Sequence, residues 1–130
     1  MYHITRVSEI LKTLSDPYRM RIINLVIHAP SNTLYVAKIC RIIGVPYNGG
    51  SNKIVDHLYY LRQKNIVAYY TDKQTNRNWY YLCLTGELKD YVYQMVGFWK
   101  QHCHEMQADL HRLHHEDQIP SDETIVSFKI

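Results

Sequence analysis

Cysteine is scarce in this chain of 130 residues, and the three that occur, Cys40, Cys83 and Cys103, are far apart. An odd number of widely spaced thiols argues against a disulfide framework, and the lack of a Cys-x-x-Cys pair argues against a zinc knuckle. We therefore expect reduced thiols in an intracellular protein.

Long apolar runs are lacking as well. No run approaches the roughly 20 residues that a membrane-spanning helix requires. Residues 1–10, MYHITRVSEI, lack the apolar core of a signal peptide. The sequence therefore predicts a cytoplasmic protein with no membrane partner.

Catalytic motifs that a sequence can reveal are also missing. The chain contains no nucleophile elbow, no phosphate-binding loop and no paired-carboxylate arrangement. Its 46% hydrophobic and 21% charged residues are typical of a soluble globular protein. We expect a binding protein and not an enzyme.

The charge is divided unevenly along the chain. Residues 1–80 hold eleven Lys and Arg against four acidic residues, whereas residues 81–130 hold four against eight. A basic first section favours a polyanionic partner such as double-stranded DNA, with phosphate contacts and a strong dependence on salt.

The first section is predicted to hold three short helices. Apolar spacing of three and four residues indicates helices over 5–14, 18–28 and 33–43. Ser15-Asp16-Pro17 is a helix-start signal for the second, and Gly44 is a suitable C-cap for the third. Three short helices of which the third is basic and chemically varied, as the helix over 51–64 is, are typical of a helix-turn-helix core.

The segment 51–64 carries the most informative pattern in the chain. Ile54, Leu58 and Leu61 form an apolar stripe on a helix of about four turns. The opposite side carries polar and aromatic groups that suit base edges and phosphates: Asn52, Lys53, Asp56, Tyr59 and Tyr60. A DNA recognition helix and an ordinary amphipathic helix with a solvated face both fit this segment alone.

Beyond this helix the pattern changes from helical to β-prone. Residues 66–70 and 79–84 are β-branched and aromatic, and the polar segment between them carries Lys73 and Arg77. We predict a mainly α fold with a small β-hairpin, a winged helix-turn-helix domain over residues 1–84.

A single long helix is predicted over 85–117, followed by a tail over 118–130. Its length of about 48 Å exceeds what a small domain can bury, which favours a homodimer, although a helix folded back over its own core also fits. The apolar seam assigned to dimerisation consists of Leu88, Val92, Met95, Trp99, Met106 and Leu110. The tail either is disordered or adds a strand to a neighbour.

Two segments resemble a known family. LKTLSDPYRMRIINLV (11–26) is similar to the opening of ArsR-type winged-helix regulators, and residues 51–82 resemble the recognition helix and wing of that family. The long tyrosine-rich terminal helix is similar to that of archaeal and archaeal-virus winged-helix regulators. The longer turn PYNGG before residue 51 departs from the family, and its metal-binding motifs do not occur at their usual places.

The resemblance implies DNA-contacting residues on the helix and on the wing. Base reading is implied for Asn52, Lys53, Asp56 and Tyr60, and a phosphate contact for Ser51. The wing residues Lys73 and Arg77 would reach the minor groove or its phosphates. His57 either packs or contacts phosphate, and Arg62 either contacts phosphate or is simply solvated. A dimer would then recognise a roughly palindromic operator.

The C-terminal section is rich in histidine. Cys103, His104, His111 and His115 form a candidate site for a transition metal, with His111 and His115 one helical turn apart. A polar helix end without metal, or a dimer loosened by histidine protonation, also fits this composition.

Three functions follow from these patterns. The first is a homodimeric DNA-binding regulator that represses by occluding promoter DNA. The second is a metal- or redox-responsive sensor of the same fold. The third is a winged-helix module that binds other proteins and has no specific DNA site.

Overall fold

The computed structural model describes residues 3–47 and 52–115 of the chain, and this part is mainly helical with a small antiparallel sheet. Its longer elements are α1 (Ile4–Leu14), α2 (Pro17–His28), β1 (Thr33–Tyr35), α3 (Val36–Ile43), α4 (Lys53–Gln63), β2 (Val67–Asp72), β3 (Arg77–Leu82), α5 (Gly86–Lys100) and α6 (His104–His114). A 3-10 turn, Pro30–Asn32, lies between α2 and β1.

The central helix α2 begins where the sequence predicts. Asp16 Oδ1 accepts hydrogen bonds from the backbone N–H groups of Tyr18 (2.9 Å) and Arg19 (3.1 Å), and Pro17 is the first helical residue. Residues 22–27 are buried without interruption, because α2 contacts other elements on several sides. The helix is therefore the core around which the rest of the fold packs.

The sheet contains the predicted hairpin and one further strand. Its order is β1-β3-β2, with both pairs antiparallel. The helix predicted over 33–43 is therefore wrong in its first turn, since Thr33–Tyr35 pairs with β3 and α3 starts at Val36. Gly44 ends α3 with a left-handed φ of 91°, as expected for a C-cap glycine.

The continuous helix predicted over 85–117 is not present. Residues 101–103 separate α5 from α6, and α6 lies against α2 and α3. Val92 and Met106 are buried in the core of the single chain, so they are not available to an intermolecular seam. The other predicted seam residues are half-buried against the same core: Leu88, Met95, Trp99 and Leu110. Residues 116–130, with the predicted tail, lie outside the described residues.

An ion-pair network fixes α6 in this position. Asp109 is fully buried and accepts two hydrogen bonds of 2.8 Å from Arg21 on α2, and a third of 2.9 Å from Arg112. Arg112 also donates to the carbonyl oxygen of Ile42 on α3 at 2.6 Å. The hydrogen bonds to Asp109 raise the pKa of the Arg21 guanidinium, which therefore stays charged.

Within residues 3–47 and 52–115, no helix is both long and apolar enough to cross a membrane.

Candidate nucleic-acid interface

The helix α4 is anchored by its apolar side and presents a polar side. Ile54, Leu58 and Leu61 are buried, as the spacing predicts, and they hold α4 against α2 and α3. The exposed positions of the helix carry groups of diverse hydrogen-bonding character: Lys53, Asp56, Tyr59, Arg62 and Gln63. Gln63 donates from Nε2 to the Tyr59 hydroxyl at 3.0 Å, so these two side chains form one polar unit.

Asn52 is the N-cap of α4. Its Oδ1 accepts from the backbone N–H of Val55 at 3.0 Å, and its Nδ2 donates to the carbonyl oxygen of Pro46 at 3.2 Å. Because both ends of the amide are occupied within the chain, Asn52 does not fit the base-reading role predicted for it. It orients the start of the helix instead. Ser51, predicted to contact phosphate, lies outside the described residues.

We expect Asn52→Ala to lower the free energy of unfolding by about 1 kcal/mol, the usual effect of losing an N-cap. Asn52→Asp keeps the cap acceptor but loses the bond to Pro46, so its loss should be smaller. Urea denaturation followed by circular dichroism measures both. Equal stability of the alanine variant and the native chain would contradict the capping role.

His57 and Tyr60 lie at the junction between α2 and α4, and not on the outer face of α4. The Arg19 guanidinium lies 4.2 Å above the Tyr60 ring, and its Nη1 is 3.4 Å from His57 Nδ1. His57 also stacks on Tyr18 at 5.8 Å, and its Nε2 lies 3.7 Å from the capping carboxylate of Asp16. These contacts set the position of α4 on the start of α2.

The same junction has a positively charged rim. Lys53 Nζ donates to the Tyr18 hydroxyl at 3.3 Å, and Lys64 Nζ lies 5.5 Å from the Tyr60 ring. Lys64 Nζ also lies 3.6 Å from Glu9 Oε2 on α1, so part of this positive charge is compensated within the chain. Cations arranged along a helix in this way suit contacts to a phosphate backbone.

The far end of α4 is held by α1. Arg6 donates from Nη1 to the carbonyl oxygen of Lys64 at 2.6 Å and from Nη2 to that of Asn65 at 3.1 Å. A cation is favourable there because the last carbonyls of a helix carry partial negative charge. Both ends of α4 are therefore fixed by specific hydrogen bonds.

The hairpin turn places one of its two predicted cations in solvent. Lys73 is exposed at the tip, where Asp72 Oδ1 accepts from the backbone N–H of Gln74 and Asn76 adopts a positive φ of 58°. Arg77 lies lower on β3, with its guanidinium 4.1 Å from the Tyr35 ring. Arg62, on α4, lies in the same way 4.5 Å from Tyr69. Lys73 is therefore the wing residue best placed to reach a partner.

In the histidine-rich section, two of the predicted metal ligands lie close together, His111 and His115. The His111 and His115 rings stack with centroids 4.2 Å apart, and His115 Nδ1 lies 2.8 Å from the His111 carbonyl oxygen. No group of three or more His, Cys, Asp or Glu side chains in residues 3–47 and 52–115 could hold a metal ion. Cys103 and His104 are thus not brought together with this pair, and the metal site stays a prediction.

The other two cysteines are poor candidates for redox sensing. Burial raises the pKa of the Cys40 thiol to about 11, and it also raises the pKa of Cys83. A thiol with a raised pKa carries little of the reactive thiolate at neutral pH.

One residue of the exposed α4 face was missing from the sequence-based assignment. Gln63 lies there, and the helical period that places Asp56 and Tyr59 on this face could have included it. The contacts of Arg6 and Arg19 join segments far apart in the chain, so no local pattern points to them.

No family model, curated protein or solved structure matches the chain.

Proposed function

We propose that the chain is a sequence-specific, double-stranded DNA-binding regulator of the winged helix-turn-helix type, which acts as a homodimeric repressor. The observation that carries this proposal is the outer face of α4. It is exposed, polar and chemically varied, and the helix is fixed at both ends.

The exposed groups of α4 suit the major groove. Lys53 can donate to guanine acceptors or phosphate, and Asp56 can accept from cytosine. Gln63, whose Nε2 donates to Tyr59, can accept from adenine through its amide oxygen. Tyr59 adds a hydroxyl and an apolar ring. A major groove about 12 Å wide admits one α-helix, so a helix held rigidly on its apolar side can present these groups to base edges.

The order of elements supports the winged-helix part of the proposal. Three helices, α2, α3 and α4, precede the hairpin β2–β3, and β1 completes a small sheet beside them. Lys73 at the hairpin tip would contact phosphates beside the site of α4. The ArsR-type resemblance of residues 11–26 and 51–82 is in line with this arrangement.

An apolar surface of α1 and α5 supports the homodimer. Ile4, Leu11, Tyr91 and Phe98 are between 50% and 78% exposed, which is unusual for large apolar side chains. Leu11 and Tyr91 also line an apolar cavity of about 220 Å³ between the two helices. We propose that a second copy covers this α1–α5 surface, in place of the apolar seam that was predicted on a continuous helix over 85–117. Two copies would present two α4 helices to half-sites of a palindromic operator.

The proposal predicts that Lys53→Ala weakens binding to duplex DNA. It also predicts that the slope of log affinity against log salt falls by about two units, because each copy of the homodimer loses one phosphate contact. The measurement is a gel-shift series over salt with fragments selected from a random DNA pool. Lys12→Ala, which removes an exposed lysine from α1, is the matched control and should bind as the native chain does. Equal effects of the two variants, or a native chain that selects no sequence, would contradict a specific interface on α4.

A further inference from the structure

One side of the sheet faces the core, and the other side is not part of the proposed duplex interface. Tyr35, Trp79 and Tyr70 are direct neighbours on β1, β3 and β2, so the three side chains form a row across the sheet. Tyr81 follows on the same face, two residues along β3. Four aromatic rings therefore share one side of a three-stranded sheet.

This aromatic face is opposite the side of the sheet that contributes to the core, and at one end it borders α2 and α5. The alternate residues, Leu34, Val67 and Tyr80, are buried, and Arg62 of α4 covers Tyr69 on that inner side. The hydrophobic core of the described residues includes none of the four outer rings.

The outer rings are partly covered by one another. Tyr35 meets Trp79 edge-on with centroids 5.0 Å apart, and Tyr70 lies 6.4 Å from Tyr81. Tyr70 is 51% exposed. The rings therefore support each other while ring surface remains open to solvent.

Cations stand at both ends of the aromatic face. Arg77 lies over Tyr35 and directly opposite Asp72 of β2, and Lys73 follows in the adjoining turn. At the opposite end, Lys89 of α5 lines a cavity of about 430 Å³ together with Tyr70 and Tyr81.

We propose that this aromatic face, Tyr35, Tyr70, Trp79 and Tyr81, binds single-stranded nucleic acid. Aromatic rings stack on the faces of unpaired bases of any sequence, and flanking cations bind the phosphates. From Arg77 to Tyr81 the strand extends about 13 Å, which accommodates a few nucleotides. The bases of a duplex are stacked on one another, so they cannot lie on such a row.

The outward side of the sheet is aromatic and polar. On its outward side the sheet carries only Thr33, Ala68, Asp72 and Arg77 besides the aromatic residues, and thus no large aliphatic side chain. The leucines of these strands, Leu34 and Leu82, lie on the inward side of the sheet. Stacking and phosphate contacts are the interactions that this composition supplies.

Trp79 allows a direct test, because the chain has only two tryptophans and Trp99→Phe leaves Trp79 as the sole reporter. Full-length Trp99→Phe protein is titrated with dT12 and, separately, with rU12. We expect quenching of Trp79 fluorescence as bases stack on the ring. Quenching by either oligomer supports the proposal, and the stronger binder tells DNA from RNA. No quenching by either at low salt would overturn it.

Variants of Tyr70 separate stacking from other causes. Tyr70→Ala should weaken single-strand binding about tenfold, whereas Tyr70→Phe should bind as the parent does, since stacking needs the ring and not the hydroxyl. Tyr59→Ala removes a tyrosine of similar exposure (57%) from α4 and should leave single-strand affinity unchanged. Equal losses for Tyr59→Ala and Tyr70→Ala would overturn the proposal.

The single-strand site is also separable from the duplex interface. Tyr70→Ala should retain duplex affinity, and Lys53→Ala should retain affinity for dT12. If the native chain binds dT12 and no duplex, the duplex proposal fails while this one is supported. If Tyr70→Ala weakens only duplex binding, the aromatic face is part of the duplex interface and this proposal is overturned.

Discussion

Replacing Asp109 with alanine is expected to lower the free energy of unfolding by about 3–5 kcal/mol. The carboxylate is fully buried and accepts hydrogen bonds from two arginines. Without it, the largely buried Arg21 guanidinium keeps its charge but loses its partner, and an uncompensated buried charge is costly. Urea denaturation of native and variant chains, followed by far-UV circular dichroism, measures the difference.

Two further variants make this result specific. Asp90→Ala removes an exposed carboxylate from α5 and should change the stability by no more than about 0.5 kcal/mol. The double variant Arg21→Met with Asp109→Leu removes both charges and should recover much of the loss. If Asp109→Ala is as stable as Asp90→Ala, α6 is not docked through this carboxylate, and a helix projecting away from the domain fits better.

The position of α6 shows the limit of reasoning from periodicity. Met106 and Leu113 have the spacing of an apolar helix face, but spacing alone does not reveal whether the face packs on its own chain or on another. The break at residues 101–103 contains no proline or glycine, so the sequence has no breaker there. The deciding contact, from Asp109 to Arg21, joins residues 88 positions apart.

Sequence patterns predicted the structure correctly where it depends on interactions between neighbouring residues. The Asp16-Pro17 start of α2, the apolar stripe of α4 and the β2–β3 hairpin all depend on neighbouring residues, and each is present. The capping role of Asn52 was open to the same rules, because asparagine is a preferred N-cap residue. Strand β1 has only three residues and is defined by its pairing with β3, so it lacks a signal of its own.

Placing a charge at the centre of the α1–α5 surface is expected to abolish the proposed homodimer. Leu11→Glu would bury a carboxylate between two apolar surfaces, where it lacks a partner and loses its hydration. We expect the dissociation constant to rise at least about 100-fold, a loss of about 2.7 kcal/mol in binding free energy. Because Leu11 is half exposed in the single chain, the fold itself should be little affected.

Sedimentation velocity over a concentration series measures this change, with Leu11→Met as the control that keeps an apolar side chain of similar volume. The glutamate variant should sediment as a monomer at concentrations where the methionine variant is dimeric. It should also lose affinity for palindromic duplex DNA, since each copy then binds one half-site without the gain of a linked second contact. A native chain that is monomeric throughout would refute the dimer. A glutamate variant that stays dimeric would place the contact between copies on another surface, and the orientation of the two α4 helices would then have to be derived from that surface.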